Sequence, residues 1–89
     1  MILRPNTIRL MCDYCATGLW GLEGSLEYDQ LPTLTPDTIQ LLQLWQKWFD
    51  EEPTDDEWEP AKLAEWHMLQ SLIFFRLQRE LPNHRVIIT

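Results

Sequence analysis

One stretch constrains the fold more than any other, because the segment from Pro60 to Leu81 carries the longest uninterrupted helical pattern in the chain. Projected at about 100° per residue, its apolar side chains fall into two stripes on nearly opposite faces. The first stripe comprises Leu63, Trp66, Leu69, Ile73 and Leu77, and the second comprises Met68, Leu72 and Phe75. A helix that is apolar on two faces lies between two layers of a protein or between two molecules.

Two arrangements would cover the second stripe, Met68, Leu72 and Phe75. We favour the one in which the terminal strands lie across it and make it part of the core, because a two-stranded sheet needs cover. The alternative is a two-fold homodimer in which the stripe packs against its own copy. The sequence therefore predicts either a core face or an oligomer interface here.

Size and charge limit the class of protein. The chain has 89 residues, of which 45% are apolar and five are tryptophan, so we expect a single folded domain over residues 1–89. Its net charge of −7 opposes binding to nucleic acids and to anionic membranes. A basic protein is the partner that this charge favours.

The apolar run at the start of the chain is short and is interrupted by Arg4, Pro5 and Arg9, which is unlike a signal peptide. The sequence also lacks an apolar stretch as long as a membrane span. We therefore expect a cytoplasmic protein in which Cys12 and Cys15 are reduced thiols.

The pattern along the chain predicts an α+β fold. Alternation predicts a first strand over 7–12, and a structured loop follows over 13–35, with a weakly indicated strand near 25–28. Thr35 and Pro36 mark the start of a helix that runs to about Phe49 or Glu51. A capping box that begins at Thr54 predicts one helical turn over 55–58, and Pro60 then starts the second helix. A final strand covers 84–89. We expect two antiparallel helices packed on a small sheet of the N- and C-terminal strands, in the order β-loop-α-α-β.

The contact between the helices follows from their apolar stripes. We expect five side chains to meet there: Trp45, Phe49, Trp66, Ile73 and Leu77.

The pair Cys12-x-x-Cys15 is the one metal-like or redox-like motif. Zinc needs two more ligands, and His84 is the residue that folding could bring beside the first strand. No second Cys-x-x-Cys is present, and the β-α-β context of a thioredoxin motif is missing. We therefore expect no metal and no cofactor, and we expect no enzyme because no nucleophile lies in register with a base.

The sharper feature is an acidic run between the two helices. It holds seven carboxylates around one tryptophan, namely Asp50, Glu51, Glu52, Asp55, Asp56, Glu57 and Glu59 around Trp58. Charge runs usually face water, so a solvated turn is one explanation. The other is a partner-binding surface, in which the carboxylates steer a basic partner and Trp58 is its buried anchor.

Five short motifs are spread along most of the chain, namely Asp13-Tyr14, Leu19-Trp20, Leu31-Pro32 before Thr35, Phe49-Asp50 and Glu80-Leu81. In these motifs the chain resembles a set of small bacterial proteins of uncharacterised function. The resemblance implies a compact α+β bacterial protein of the kind encoded beside toxin or mobile-element genes. The Cys-Asp-Tyr-Cys segment and the helix start at Pro60 depart from that pattern.

These observations lead to a ranked set of functions. The first is a non-enzymatic interaction module that binds a basic protein, such as an immunity or inhibitor protein that neutralises a toxin. One alternative is a zinc or redox protein that uses Cys12 and Cys15. Another is a DNA mimic that inhibits a nucleic-acid-binding protein, and this one shares the acidic signature.

Overall fold

The computed structural model describes residues 6–13, 16–51 and 58–88. The strands are β1 (Thr7–Leu10), β2 (Leu19–Gly21), β3 (Gly24–Ser25) and β4 (Arg85–Ile88). The helices are α1 (Pro36–Glu51) and α2 (Pro60–Glu80), and a 3-10 turn covers Tyr28–Gln30. The α+β class is confirmed, and both helices and both terminal strands lie where the sequence predicts them.

The sheet has four strands in the order β3-β2-β1-β4. The terminal strands pair with each other as predicted, and they are parallel, with Thr7 opposite Arg85 and Leu10 opposite Ile88. The hairpin of β2 and β3 extends the sheet beyond β1 through antiparallel pairing. The sheet is therefore mixed and larger than the predicted pair of strands, because part of the 13–35 loop is itself strand.

One face of the sheet carries the core. Alternation along the strands directs a row of apolar side chains to the helices, which bury it with their own inner stripes. The buried cluster includes Ile8, Leu10, Leu19 and Val86 from the sheet and Leu42, Trp45, Ile73 and Leu77 from the helices. The first predicted stripe of α2 is thus the face that packs on the sheet and on α1.

A stack of tryptophans joins the two antiparallel helices. The rings of Trp45 and Trp66 lie 5.0 Å apart at 23°, and the edge of Trp58 meets Trp66 at 5.6 Å. The Trp66 indole N–H also donates to the Trp45 carbonyl at 3.3 Å. The predicted meeting of Trp45 and Trp66 between the helices is confirmed, while Phe49 is half-buried.

The start of α1 is capped by its own residues and by α2. The Thr35 hydroxyl accepts from the Thr38 amide at 3.3 Å, which is the predicted cap. Glu80, at the end of α2, accepts from the Thr35 amide at 2.7 Å and from the Thr38 hydroxyl at 2.6 Å. One carboxylate therefore fastens the end of α2 to the start of α1.

Glu80 gives this fastening a pH dependence. Burial alone would raise the pKa of Glu80, but the hydrogen bonds from Thr35 and Thr38 and the nearby Arg76 hold it below its ordinary value of 4.5. The ionised form is thus favoured by folding, and its contribution is present above pH 4.5 and is lost as the pH falls through the lowered pKa.

We expect Glu80→Gln to lower the free energy of unfolding by about 1 kcal/mol near neutral pH, because the charge-assisted hydrogen bonds weaken. Urea unfolding followed by circular dichroism should show that the gap in unfolding free energy between the wild type and Glu80→Gln narrows below pH 4.5. Glu23→Gln, at an exposed turn, is the matched control and should show no gap. A Glu80→Gln gap that is the same at acid and neutral pH would contradict the assignment.

Gln78 of α2 protects the outer edge of β4. Its side-chain amide donates to the His84 carbonyl at 2.9 Å, and its side-chain oxygen accepts from the Val86 amide at 3.2 Å. An edge strand with free backbone groups is a template for pairing with other chains. Gln78 occupies two of these groups and so limits such pairing.

Candidate functional site

A cleft of about 320 Å³ lies between the C-terminal half of α1 and the segment that carries β2, β3 and the 3-10 turn. Its charged lining is Glu27, Lys47 and Asp50, and Tyr28 and Gln46 also contribute to its walls. Asp50 belongs to the acidic run that the sequence predicts as a binding surface. The structure therefore joins one end of that run to a concave site.

Gln46 is the buried polar residue of the cleft, with 5% of its surface exposed. Its amide nitrogen donates to the Asp13 carbonyl at 2.6 Å and to Asp50 Oδ1 at 3.0 Å. Both partners only accept, so the orientation of the amide is determined by its contacts. Its Oε1 is buried and has no donor among the described residues. Gln46 therefore has its amide nitrogen satisfied and one buried acceptor without a donor among the described residues.

Tyr28 forms a wall of the cleft and remains a neutral phenol. Its hydroxyl donates to the Thr17 carbonyl at 3.0 Å. Burial raises the pKa of Tyr28, and the neighbouring Glu27 carboxylate raises it further. The ring therefore adds an apolar surface and no charge beside the two carboxylates.

Lys47 is the cation that lines the cleft, and it leans towards the acidic end of α1. Its Nζ lies 3.9 Å from a carboxylate oxygen of Glu51, and both side chains are more than half exposed. An exposed pair of this kind contributes between zero and about 1 kcal/mol, so a partner's cation can replace Lys47 beside the carboxylates. Lys47 therefore leaves the negative charge of the cleft only partly neutralised.

The predicted acidic surface is described in part. Asp50 is half-buried in the cleft, and Glu51 and Glu59 are exposed. The other four carboxylates lie outside the described residues, as does most of the predicted helical turn over 55–58; they are Glu52, Asp55, Asp56 and Glu57. The geometry of the acidic surface can therefore be described only for Asp50, Glu51 and Glu59 and for the cleft beside Asp50.

Trp58 differs from its predicted role as an anchor for a partner. It is 8% exposed, packs edge-on against Trp66, and has Lys62 Nζ 5.3 Å from its ring centroid. Burial of a large ring favours the protein's own core over solvent. Trp58 therefore holds the start of α2 against the helix pair, and the carboxylates alone remain as candidate contacts.

The strand directions separate the predicted metal ligands. His84 does reach the first strand, but it adjoins Asn6, since the Arg85 amide donates to the Asn6 carbonyl. Cys12 follows the other end of β1, about 20 Å away at the rise of an extended chain. Cys15 lies outside the described residues. His84 thus lies beside the first strand as expected, but at the end away from Cys12, because β1 and β4 are parallel.

Cys12 is also a weakly nucleophilic thiol in this structure. Its thiol is free, and burial followed by the charge of Asp50 raises its pKa far above the ordinary value. Metals and disulfide exchange require the thiolate. In the ranges that the structure describes, no group of His, Cys, Asp and Glu is arranged to hold a metal ion.

The second stripe of α2 faces outward. Met68 and Phe75 are each 71% exposed and Leu72 is 48% exposed, so the expected cover by the terminal strands is wrong. Those strands instead pack against the opposite face, where Ile73 and Leu77 are fully buried. The stripe is a second candidate surface, away from the inner stripe that packs on α1.

Sequence reasoning missed Glu27, Tyr28 and Gln46. Gln46 carried a signal, because it is a polar residue next to Trp45 on the inner side of an amphipathic helix. Its spacing of four from Asp50 also permits the hydrogen bond between them. No signal in the sequence pointed to Glu27 or Tyr28, because only the packing of the 3-10 turn brings these two residues close to α1.

Comparison with known proteins adds no relative: no protein-family model matches the chain, and no curated protein matches it either. Among the described residues, neither helix combines the length and apolar character needed to cross a membrane. Function is therefore inferred from the geometry and charge of the site.

Proposed function

We propose that the protein is a non-enzymatic interaction module that binds a basic protein through the cleft beside Asp50 and the acidic end of α1. The observation that supports this most directly is the excess of carboxylates over cations in the lining of the cleft. Glu27 and Asp50 supply two carboxylates there, whereas Lys47 supplies one cation and lies towards Glu51. Cationic donors are the complement of such a lining.

A lysine or arginine side chain of the partner matches this cleft. Its charged head would lie near Asp50 and Glu27, while its aliphatic stem would contact the ring of Tyr28. The volume of about 320 Å³ is suited to one long side chain. The net charge of −7 would attract a basic partner over a longer range and raise the association rate.

The biological setting proposed is that of a cytoplasmic immunity or inhibitor protein of a bacterium. The resemblance to small bacterial proteins supports this setting, and so does the free thiol of Cys12, which suits a reducing compartment. The zinc or redox alternative is not proposed, because the protonated thiol of Cys12 and the position of His84 argue against it.

Binding of an octalysine peptide, measured by titration calorimetry at low and moderate salt, tests the site. We expect Asp50→Asn combined with Glu51→Gln to weaken binding about tenfold at low salt, because two carboxylates of the proposed surface are neutralised. The control combines Glu23→Gln with Asp37→Asn, which removes the same charge at exposed positions outside the cleft lining.

The control variant should weaken binding by less than about threefold, since it changes only the long-range field. Equal losses in the two double variants would show that net charge and not the cleft attracts the peptide. Binding that is unaffected by both variants would reject the proposed surface.

A further inference from the structure

The exposed face of α2 carries charges arranged symmetrically around its apolar centre. In chain order this outer face reads Glu65, Met68, Leu72, Phe75 and Arg79. All five residues are exposed, and their spacings of three and four keep them on one side of the helix. An acid thus precedes the three apolar side chains and a base follows them.

Leu72 is the centre of this pattern. Glu65 and Arg79 lie seven positions before and after it, which places each about 10 Å from Leu72 along the helix axis. Among the described residues neither side chain forms an ion pair, since the pair found there joins Lys47 and Glu51. Both ends of the outer face are therefore open to a charged partner.

The order of the two charges along α2 favours one relative direction, antiparallel, for the α2 helix of a second copy. If two α2 helices pack antiparallel about a two-fold axis at Leu72, Glu65 of each copy meets Arg79 of the partner subunit. The two ion pairs then flank a shared apolar centre, as in a self-complementary interface. A parallel pair would instead place Glu65 beside Glu65 and Arg79 beside Arg79.

The acidic character of the chain is compatible with this arrangement. Pro60 lies twelve positions before Leu72, or about 18 Å, so the antiparallel pair separates the two α2 starts by about 36 Å. That distance exceeds the Debye length of about 10 Å at 0.1 M salt. The acidic ends of the helix pairs therefore point away from each other, and repulsion between copies is screened.

We propose that the outer face of α2 binds a second copy of this chain as an antiparallel two-fold dimer centred on Leu72. The apolar side chains of Met68, Leu72 and Phe75 supply the contact, and the Glu65–Arg79 pairs determine its direction. This inference is independent of the proposed binding of a basic protein, because the cleft is lined by α1 and by residues 16–28 and shares no residue with the outer face of α2.

A charge swap measured by sedimentation equilibrium tests the dimer on the full chain. We expect the wild type to dimerise at concentrations on the order of 10–100 µM, as suits a small interface. Glu65→Arg should weaken the dimer about tenfold, because each ion pair becomes a repulsion. Combining Glu65→Arg with Arg79→Glu should restore the affinity to within about threefold of the wild type.

Two further variants complete the test. Glu23→Arg, an exposed charge reversal on the β2–β3 turn, should leave dimerisation within about threefold of the wild type. Leu72→Glu should give a monomer with its helical circular dichroism retained, because the exposed side chain is not needed for the core.

Three outcomes would overturn the proposal. They are a wild type that stays monomeric at the highest concentration, a charge swap that does not restore dimerisation, and a Leu72→Glu variant that still dimerises.

Discussion

Replacing Trp45 by alanine is expected to lower the free energy of unfolding by about 3–5 kcal/mol. Trp45 has no exposed surface and stacks on Trp66 at a centroid distance of 5.0 Å, so its loss leaves a large cavity between α1, α2 and the sheet. A domain of 89 residues has a total stability of about 4–13 kcal/mol. Urea unfolding should therefore show that Trp45→Ala has a free energy of unfolding close to zero or only a few kcal/mol above it.

Leu44→Ala is the control for this prediction, because Leu44 precedes Trp45 on the same helix and is 43% exposed. It should cost less than about 1 kcal/mol. Trp45→Phe should cost less than its lost volume suggests, since the Trp45 indole N–H is buried without a partner among the described residues. Similar losses for Trp45→Ala and Leu44→Ala would show that the face of α1 is assigned wrongly.

The second large effect is expected at Gly18, where β2 begins beneath α1. Its φ of +89° is strained for any residue with a side chain, and a Cβ there would lie 3.1 Å from Cζ3 of Trp45. The backbone strain costs about 1–2 kcal/mol and the crowding adds a similar amount. Gly18→Ala should therefore lose about 2–4 kcal/mol in the same urea experiment.

Gly24 separates the two causes, because it also has a positive φ, +131°, but a Cβ added there would meet no atom within 4 Å. Gly24→Ala should thus show the backbone strain alone, about 1–2 kcal/mol. In a Trp45→Phe background, Gly18→Ala should become less costly, because the crowded ring atom is gone. Equal costs in both backgrounds would remove Trp45 from the explanation.

Local signals in the sequence were sufficient for the helices. Thr35 and Pro36 marked the start of α1, and Pro60 marked that of α2, since caps and proline positions act within a single turn. The sequence did not predict β2, and the strand weakly indicated near 25–28 overlaps β3 only at Ser25, because strands of three and two residues show too little alternation to recognise. Formation of the β2–β3 hairpin depends instead on packing against β1 and α1.

The candidate site was only partly predictable, because its residues come from separate elements. Composition alone singled out the acidic run, and Asp50 proved to line a cleft. Trp58 was expected to be an anchor that a partner buries, yet it packs against the ring of Trp66 in the protein's own core. The direction of β4 relative to β1, which separates His84 from Cys12, is a tertiary property with no local signal in either strand.

The central place of β1 has a consequence for how the chain is made. Its partner β2 follows soon after it, so that side of β1 closes a short loop and can pair during synthesis. Its other partner, β4, is the last of the described elements, and the Asn6 side-chain amide donates to the Asn83 carbonyl across 77 positions. A ribosome-bound chain therefore carries an open strand edge on β1 until β4 has been translated. We expect closure of this long loop to set the folding rate.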